Sequence, residues 1–146
     1  MHSILDNLEI QYVNDAVAAG SSTDDNSTII DMTGYESVTF MVPITDSVDT
    51  GVATLKVEQN TANSDGGMTA VTGATVSATS AANDDLNGLM LAVEVRNAGG
   101  LSRYVQAVVT SATANIAFGA TVAIKKPYRV PATQGATVSA SATVSV

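Results

Sequence analysis

Apolar and polar residues alternate with period two along most of the chain, the pattern of strands that bury one face. From Ser37 to Ile44 the apolar set is Val38, Phe40, Val42 and Ile44. From Val52 to Glu58, Ala53, Leu55 and Val57 oppose Thr54, Lys56 and Glu58. Leu89 to Arg96 sets Leu89, Leu91, Val93 and Val95 against Glu94 and Arg96. Arg103 to Val109 carries Val105, Ala107 and Val109 on one side, Tyr104 and Gln106 on the other. In Ile116 to Ile124 the even positions Ile116, Phe118, Ala120, Val122 and Ile124 share a face. Shorter strands are predicted at Thr28 to Met32 and Ala74 to Ala78. Leu5, Leu8, Tyr12 and Ala16 would share a helical face, but Leu8, Ile10 and Tyr12 also alternate, and a strand from Leu8 to Val13 is favoured.

Turn sequences separate these runs: Gly34, Asp49-Thr50-Gly51, Asp65-Gly66-Gly67, Asn87-Gly88 and Asn97-Ala98-Gly99-Gly100. Short strands between such turns predict an all-β, single-domain antiparallel β-sandwich of about eight strands. The expected core is Val38, Phe40, Val42, Leu55, Val57, Leu91, Val93, Val105, Ala107, Phe118 and Val122. The sandwich is expected over 25–131, with an N-terminal segment at 1–24 and a C-terminal strand or arm at 132–146. Pro127 and Pro131 bracket an extended stretch that cannot serve as a central strand. Beyond it, Ala136 to Val146 alternates Ala/Val with Ser/Thr, which is strand chemistry with little bulk.

A chain of 146 residues, 45% hydrophobic and 14% charged, is long enough for one core and unlike a disordered sequence. The apolar share is mostly Ala and Val, with two Phe and no Trp, so the core is light. A light core and a surplus strand pattern in the tail together predict a homo-oligomer. No apolar run approaches a membrane span, and Met1 to Asp6 lacks the basic and apolar regions of a secretory signal. The sequence therefore reads as soluble and made in a cytoplasm. A net charge of −8 disfavours direct contact with nucleic acid.

The charge is strongly polarised. Nine acids and no Lys or Arg precede Leu55, whereas Arg96, Arg103, Lys125, Lys126 and Arg129 follow Glu94 without another acid. Such polarity pairs early and late strands within one fold, aligns neighbouring copies, or is simply solvated. Lys125, Lys126 and Arg129, with Val138 and Val144 of the tail, are the candidate interaction residues. No catalytic, cofactor or metal site is expected. There is no Cys, and the single His, His2, sits near a terminus. Asp24-Asp25, Asp46 with Asp49, and Asp84-Asp85 lie in turn-like stretches without EF-hand spacing. Gly66-Gly67 and Gly99-Gly100 are isolated pairs that read as tight turns.

One order of segments is distinctive. Thr33-Gly34-Tyr35-Glu36-Ser37-Val38-Thr39-Phe40 precedes Thr54-Leu55-Lys56-Val57-Glu58-Gln59, then Asp65-Gly66-Gly67-Met68-Thr69-Ala70-Val71, Arg103-Tyr104-Val105-Gln106-Ala107-Val108-Val109 and Lys125-Lys126-Pro127. Over Ile29 to Pro131 this resembles the small β-sandwich capsid decoration, or cement, proteins of tailed bacteriophages. The resemblance implies a jelly-roll-like sandwich, often trimeric, seated on the outer capsid surface with the major capsid protein as its partner. It places the protein in the virion, without enzymatic activity. Two other classes compete: a receptor- or carbohydrate-binding module, which an exposed Tyr cluster would favour, and a carboxylate enzyme, which needs a cleft holding two acids.

Overall fold

The computed structural model describes residues 3–144, so His2 lies outside the described residues. Two antiparallel sheets pack face to face. After a single helical turn, α1 (Ile4–Asn7), the strands are β1 (Glu9–Asn14), β2 (Val17–Gly20), β3 (Asp24–Asn26), β4 (Ile30–Asp31), β5 (Tyr35–Ser47), β6 (Val52–Asn60), β7 (Thr69–Thr79), β8 (Met90–Arg96), β9 (Tyr104–Ala112), β10 (Ile116–Phe118) and β11 (Thr121–Pro127). β1 and β2 are halves of one interrupted strand, as are β3 and β4, and β10 and β11. The halves follow the same neighbours: β11 and β10 both lie along β5, and β3 and β4 both lie along β9.

Eight strand positions result. Numbered along the chain, sheet I runs first, eighth, third, sixth: β1/β2, β11/β10, β5, β8. Sheet II runs second, seventh, fourth, fifth: β3/β4, β9, β6, β7. This is the strand order of a jelly roll, in which consecutive strands mostly alternate between sheets. The segment before residue 25, expected to stand outside the sandwich, supplies β1 and β2 of sheet I. Its strand halves are short, and only β1 displays an alternation that sequence reading detects.

The core sits where the two inner faces meet. Ten of the eleven predicted core residues are buried there, from Val38, Phe40, Val42, Leu55, Val57 and Val105 at 0% exposure to Leu91 at the β8 edge at 8%. Val122 is the exception and points outward. Its displacement has a definite cause. Four steps along the chain from Phe118 to Val122 oppose only three on β5, from Ile44 to Met41. The extra residue falls at Gly119-Ala120 and forms a bulge, which exchanges the faces of every residue after it. Ile116 and Phe118 point in, then Thr121, Ala123 and Lys125 do, while Val122 and Ile124 turn out. Gly119 packs so tightly on β5 that a Cβ there would lie 2.6 Å from Pro43 Cγ. Leu89, counted with the inner set of β8, is likewise exposed, just before that strand begins.

The predicted strand over Ala136 to Val146 does not form among the described residues, and Ser145 and Val146 lie outside them. Instead the tail runs along the free edge of β1 and satisfies it with side chains. Ile10 N donates to Gln134 Oε1 at 3.0 Å, and Tyr12 N donates to Thr137 Oγ1 at 3.1 Å. Gln134 Nε2 donates to the carbonyls of Leu5 (2.9 Å) and Leu8 (2.7 Å). An edge strand is thereby covered without a further strand.

Because the bulge turns Lys125 inward, the end of the sandwich holds a buried charge. Lys125 Nζ lies 2.9 Å from Glu9 Oε1 and 4.4 Å from the centroid of the Tyr35 ring. Tyr35 Oη donates to the other oxygen of Glu9. Burial, this hydrogen bond and the Glu9 charge push the Tyr35 hydroxyl up to about 12. Among the described residues every buried side-chain nitrogen and oxygen has a partner.

Gly119→Ala should lower stability by about 1–3 kcal/mol in urea unfolding, because the added methyl overpacks the bulge. Lys125→Met should cost about 3 kcal/mol by leaving Glu9 buried without its cation, and Glu9→Gln combined with Lys125→Met should recover much of that loss. Tyr35 retains its proton to higher pH when folded than the unfolded value of about 10, so stability should fall between about pH 10 and about 12. Tyr35→Phe should flatten that decline in unfolding midpoints measured across the range.

Candidate functional site

The two outer faces of the sandwich differ in chemistry. On sheet II, cross-strand neighbours form polar rows: Thr110, Thr54 and Ser77, then Gln106 beside Glu58. These groups engage one another. Thr54 Oγ1 and Ser77 Oγ are 2.7 Å apart, and Lys56 Nζ lies 2.9 Å from Glu58 Oε1. Asp65, in the loop after β6, accepts from Asn26 Nδ2 at 2.9 Å and Gln106 Nε2 at 2.8 Å. At one end Arg103 grips Asp31 with two hydrogen bonds of 3.0 and 2.7 Å and lies over the Tyr104 ring. The guanidinium holds the Asp31 carboxyl well below its usual range.

The outer face of sheet I is apolar. One cross-strand row consists of Ala92, Met41, Val122 and Tyr12, and the next contains Thr39, Ile124 and Ile10 beside Glu94. Pro43 and Met90 form the row beyond. Met41, Val122, Ile124 and Ile10 are half-buried by one another, while Tyr12 and Met90 are exposed at 44% and 55%. At the opposite end Arg96 and Lys126 flank Ser37, each with its own acid: Arg96 with Glu94 at 3.3 Å, Lys126 with Glu36 at 2.8 Å. The face is thus an apolar patch with a charged margin. The bulge at Gly119-Ala120 creates it by placing Val122 and Ile124 outside. Sequence alternation puts both on one face with Ile116 and Phe118, and the Gly119-Ala120 step is the signal that the phase changes.

The polarised charge is used largely within the chain. Glu9 meets Lys125, Glu36 meets Lys126 and Asp31 meets Arg103, each an early acid on a late base. Of the candidate interaction residues, Lys125 is buried, Lys126 is exposed and paired, and Arg129 is exposed beyond β11. Val138 is half-buried and Val144 is 77% exposed. The structure does not gather these five into one surface: Lys125 faces the core, while the two valines lie on the tail.

The carboxylate pairs organise loops. Asp85 accepts from Ser80 Oγ at 2.7 Å and Ala81 N at 2.8 Å, Asp84 accepts from Asn87 Nδ2 at 2.9 Å, and Asp25 accepts from Asn14 Nδ2. Asp46 lies opposite Ala117, and Asn83 Oδ1 receives the backbone N–H of Asp49 at 2.9 Å. Among the described residues no three metal-ligating side chains converge. The four tyrosines are dispersed: Tyr12 on the outer face of sheet I, Tyr104 on sheet II, Tyr35 at the buried ion pair and Tyr128 after β11.

No family model matches the sequence, and no curated protein does. Among solved structures the chain is similar to one from the infectious bursal disease virus Gx strain, at TM-score 0.45 and 10% identity, over 82% of this chain and 32% of that one. It is also similar to a CBM4 chain at TM-score 0.41 and 9% identity, over 84% of this chain and 88% of the other. The present chain therefore spans about a third of the viral one.

Replacing half-buried Ile124 by Thr should cost under about 1 kcal/mol, because the position is outside the core and a β-branched residue keeps strand geometry. Phe40→Ala, one layer inward, should cost about 3–5 kcal/mol in the same urea titrations.

Proposed function

We propose that this is a non-enzymatic structural protein of a virion, seated by the outer face of sheet I on an assembled protein shell, which it stabilises. The reading rests on the contrast between the two outer faces. One presents Met41, Val122, Ile124, Ile10 and Met90 as a continuous apolar surface. The other spends its polar groups on one another and on water. A decoration protein requires that asymmetry, since it must bind on one side and remain soluble on the other. Binding the assembled shell and not the free subunit stabilises the shell by mass action. The partner in this reading is the major capsid protein of a tailed phage, and the working unit is a homo-oligomer, with a trimer as the first expectation.

Co-sedimentation with purified phage capsids from the protein's own source tests the proposal. The full chain should pellet with shells and leave unassembled coat subunits in solution. Ile124→Glu and Met41→Glu should each weaken shell binding at least tenfold, about 1.4 kcal/mol, with an unchanged far-ultraviolet spectrum. Thr54→Ala on sheet II should bind as the parent does. Equal binding by all three variants would overturn the assignment of the face. A glycan array that retains the protein through Tyr12, with no shell binding, would replace the reading by a carbohydrate-binding one.

A further inference from the structure

Four strand edges bound the two sheets, and three of them are closed to further pairing. The β1/β2 edge is covered along β1 by Gln134 and Thr137 and is only four residues long at β2. The β3/β4 edge is short and acidic, with Asp24, Asp25 and Asp31. The β8 edge carries Glu94 and Arg96. Charge, brevity and covering are the devices by which proteins block edge-to-edge association. The β7 edge has none of these. From Gly66 to Asn83 the chain contains no charged residue and no proline. A bulge with Gly73 at φ +81° sets Val71–Ala74 against Val57 alone, so the flat, regular part of the edge is Thr75–Thr79. Five residues make an ordinary strand. Beside the bulge an open surface depression, lined by Val71–Ala74 and Glu94–Arg96, separates the β7 and β8 edges.

The tail has the complementary deficiency. Ala136 to Val146 carries a period-two strand pattern, has no charge and is built from the same Ala, Thr, Ser and Val as β7. Yet Ala136–Val144 pairs with no strand of its own chain. Past Thr137, its one described side-chain hydrogen bond is between Thr143 and Ser3.

We propose that the Thr75–Thr79 edge accepts the Val138–Val144 segment of a second copy as an added strand. Pairing within one chain is ruled out by reach. Gln134 and Thr137 fasten the tail at the β1 end of the sandwich, and β7 lies at the other end. The path spans three strand spacings of about 4.8 Å and the roughly 10 Å between sheets. Val138–Val144, fully extended at about 3.4 Å per residue, is used up by that crossing. Main-chain hydrogen bonds supply affinity in such strand addition. Neutrality matters because each chain carries −8: two segments without charged side chains add no repulsion of their own where they meet.

The chain lacks cysteine, which permits a clean test. Ser77→Cys and Ser141→Cys variants of the full chain, mixed under mild oxidation, should form disulfide-linked pairs at least about tenfold more than either variant alone. Deleting 138–146, which spares Gln134 and Thr137, should abolish the association seen by sedimentation velocity for the parent, with an unchanged far-ultraviolet spectrum. Ile124→Glu should associate as the parent does, which separates this contact from shell binding. A parent that is monomeric at high micromolar concentration would overturn the proposal. So would association that survives the deletion, or Ser77→Cys linking to itself as readily as to the tail variant.

Discussion

A single extra residue between β10 and β11 determines most of what is distinctive in this molecule. A strand has two faces, so one inserted residue exchanges them for everything that follows. Without the step at Gly119-Ala120, Val122 and Ile124 would fill the core and Lys125 would reach solvent. With it, a lysine must be accommodated inside, and two branched apolar side chains must be left outside. Glu9 and Tyr35 answer the first demand. Ile10, Met41 and Tyr12 gather around the second and extend it into a surface. The buried ion pair and the apolar face are thus two products of one backbone irregularity.

Much of the sandwich was legible in the sequence because long strands buried on one face alternate strictly. Val38 to Ile44, Ala53 to Val57 and Val105 to Val109 all lie where their pattern places them. What escaped has physical reasons. β2 and β3 are four and three residues long, too short to display a period. β10 and β11 read as one strand because both halves are apolar and a bulge changes phase without changing composition. The apolar face was hidden for the same reason. Hydrophobicity alone does not distinguish a side chain that fills a core from one that awaits a partner. The tail shows the converse: period-two patterning favours a strand only where a neighbour offers a ladder, and β1 is met by side chains instead.

The polarised charge also acquires a meaning that its total does not convey. A chain with its acids early and its bases late places attraction between its two halves. Here Glu9, Asp31 and Glu36 meet Lys125, Arg103 and Lys126. The exposed pairs contribute little individually, but the buried one fixes the register of β1 on β11, where a shift would strand a charge in the core.

That register has a consequence for how the molecule is made. Among the described strands β1 comes first along the chain, and its one ladder partner there, β11, comes last. Until Lys125 has emerged, Glu9 has no cation and β1 has no neighbour. Sheet II has β6 and β7 well before that point, whereas in sheet I the flank of β5 opposite β8 stays open until β10 and β11 follow. Pairings between distant segments make for slow folding and leave edges exposed while they wait. The low charge and low bulk of so much of this sequence must therefore be tolerated by a nascent chain in which β1 stays unpaired until β11 has formed.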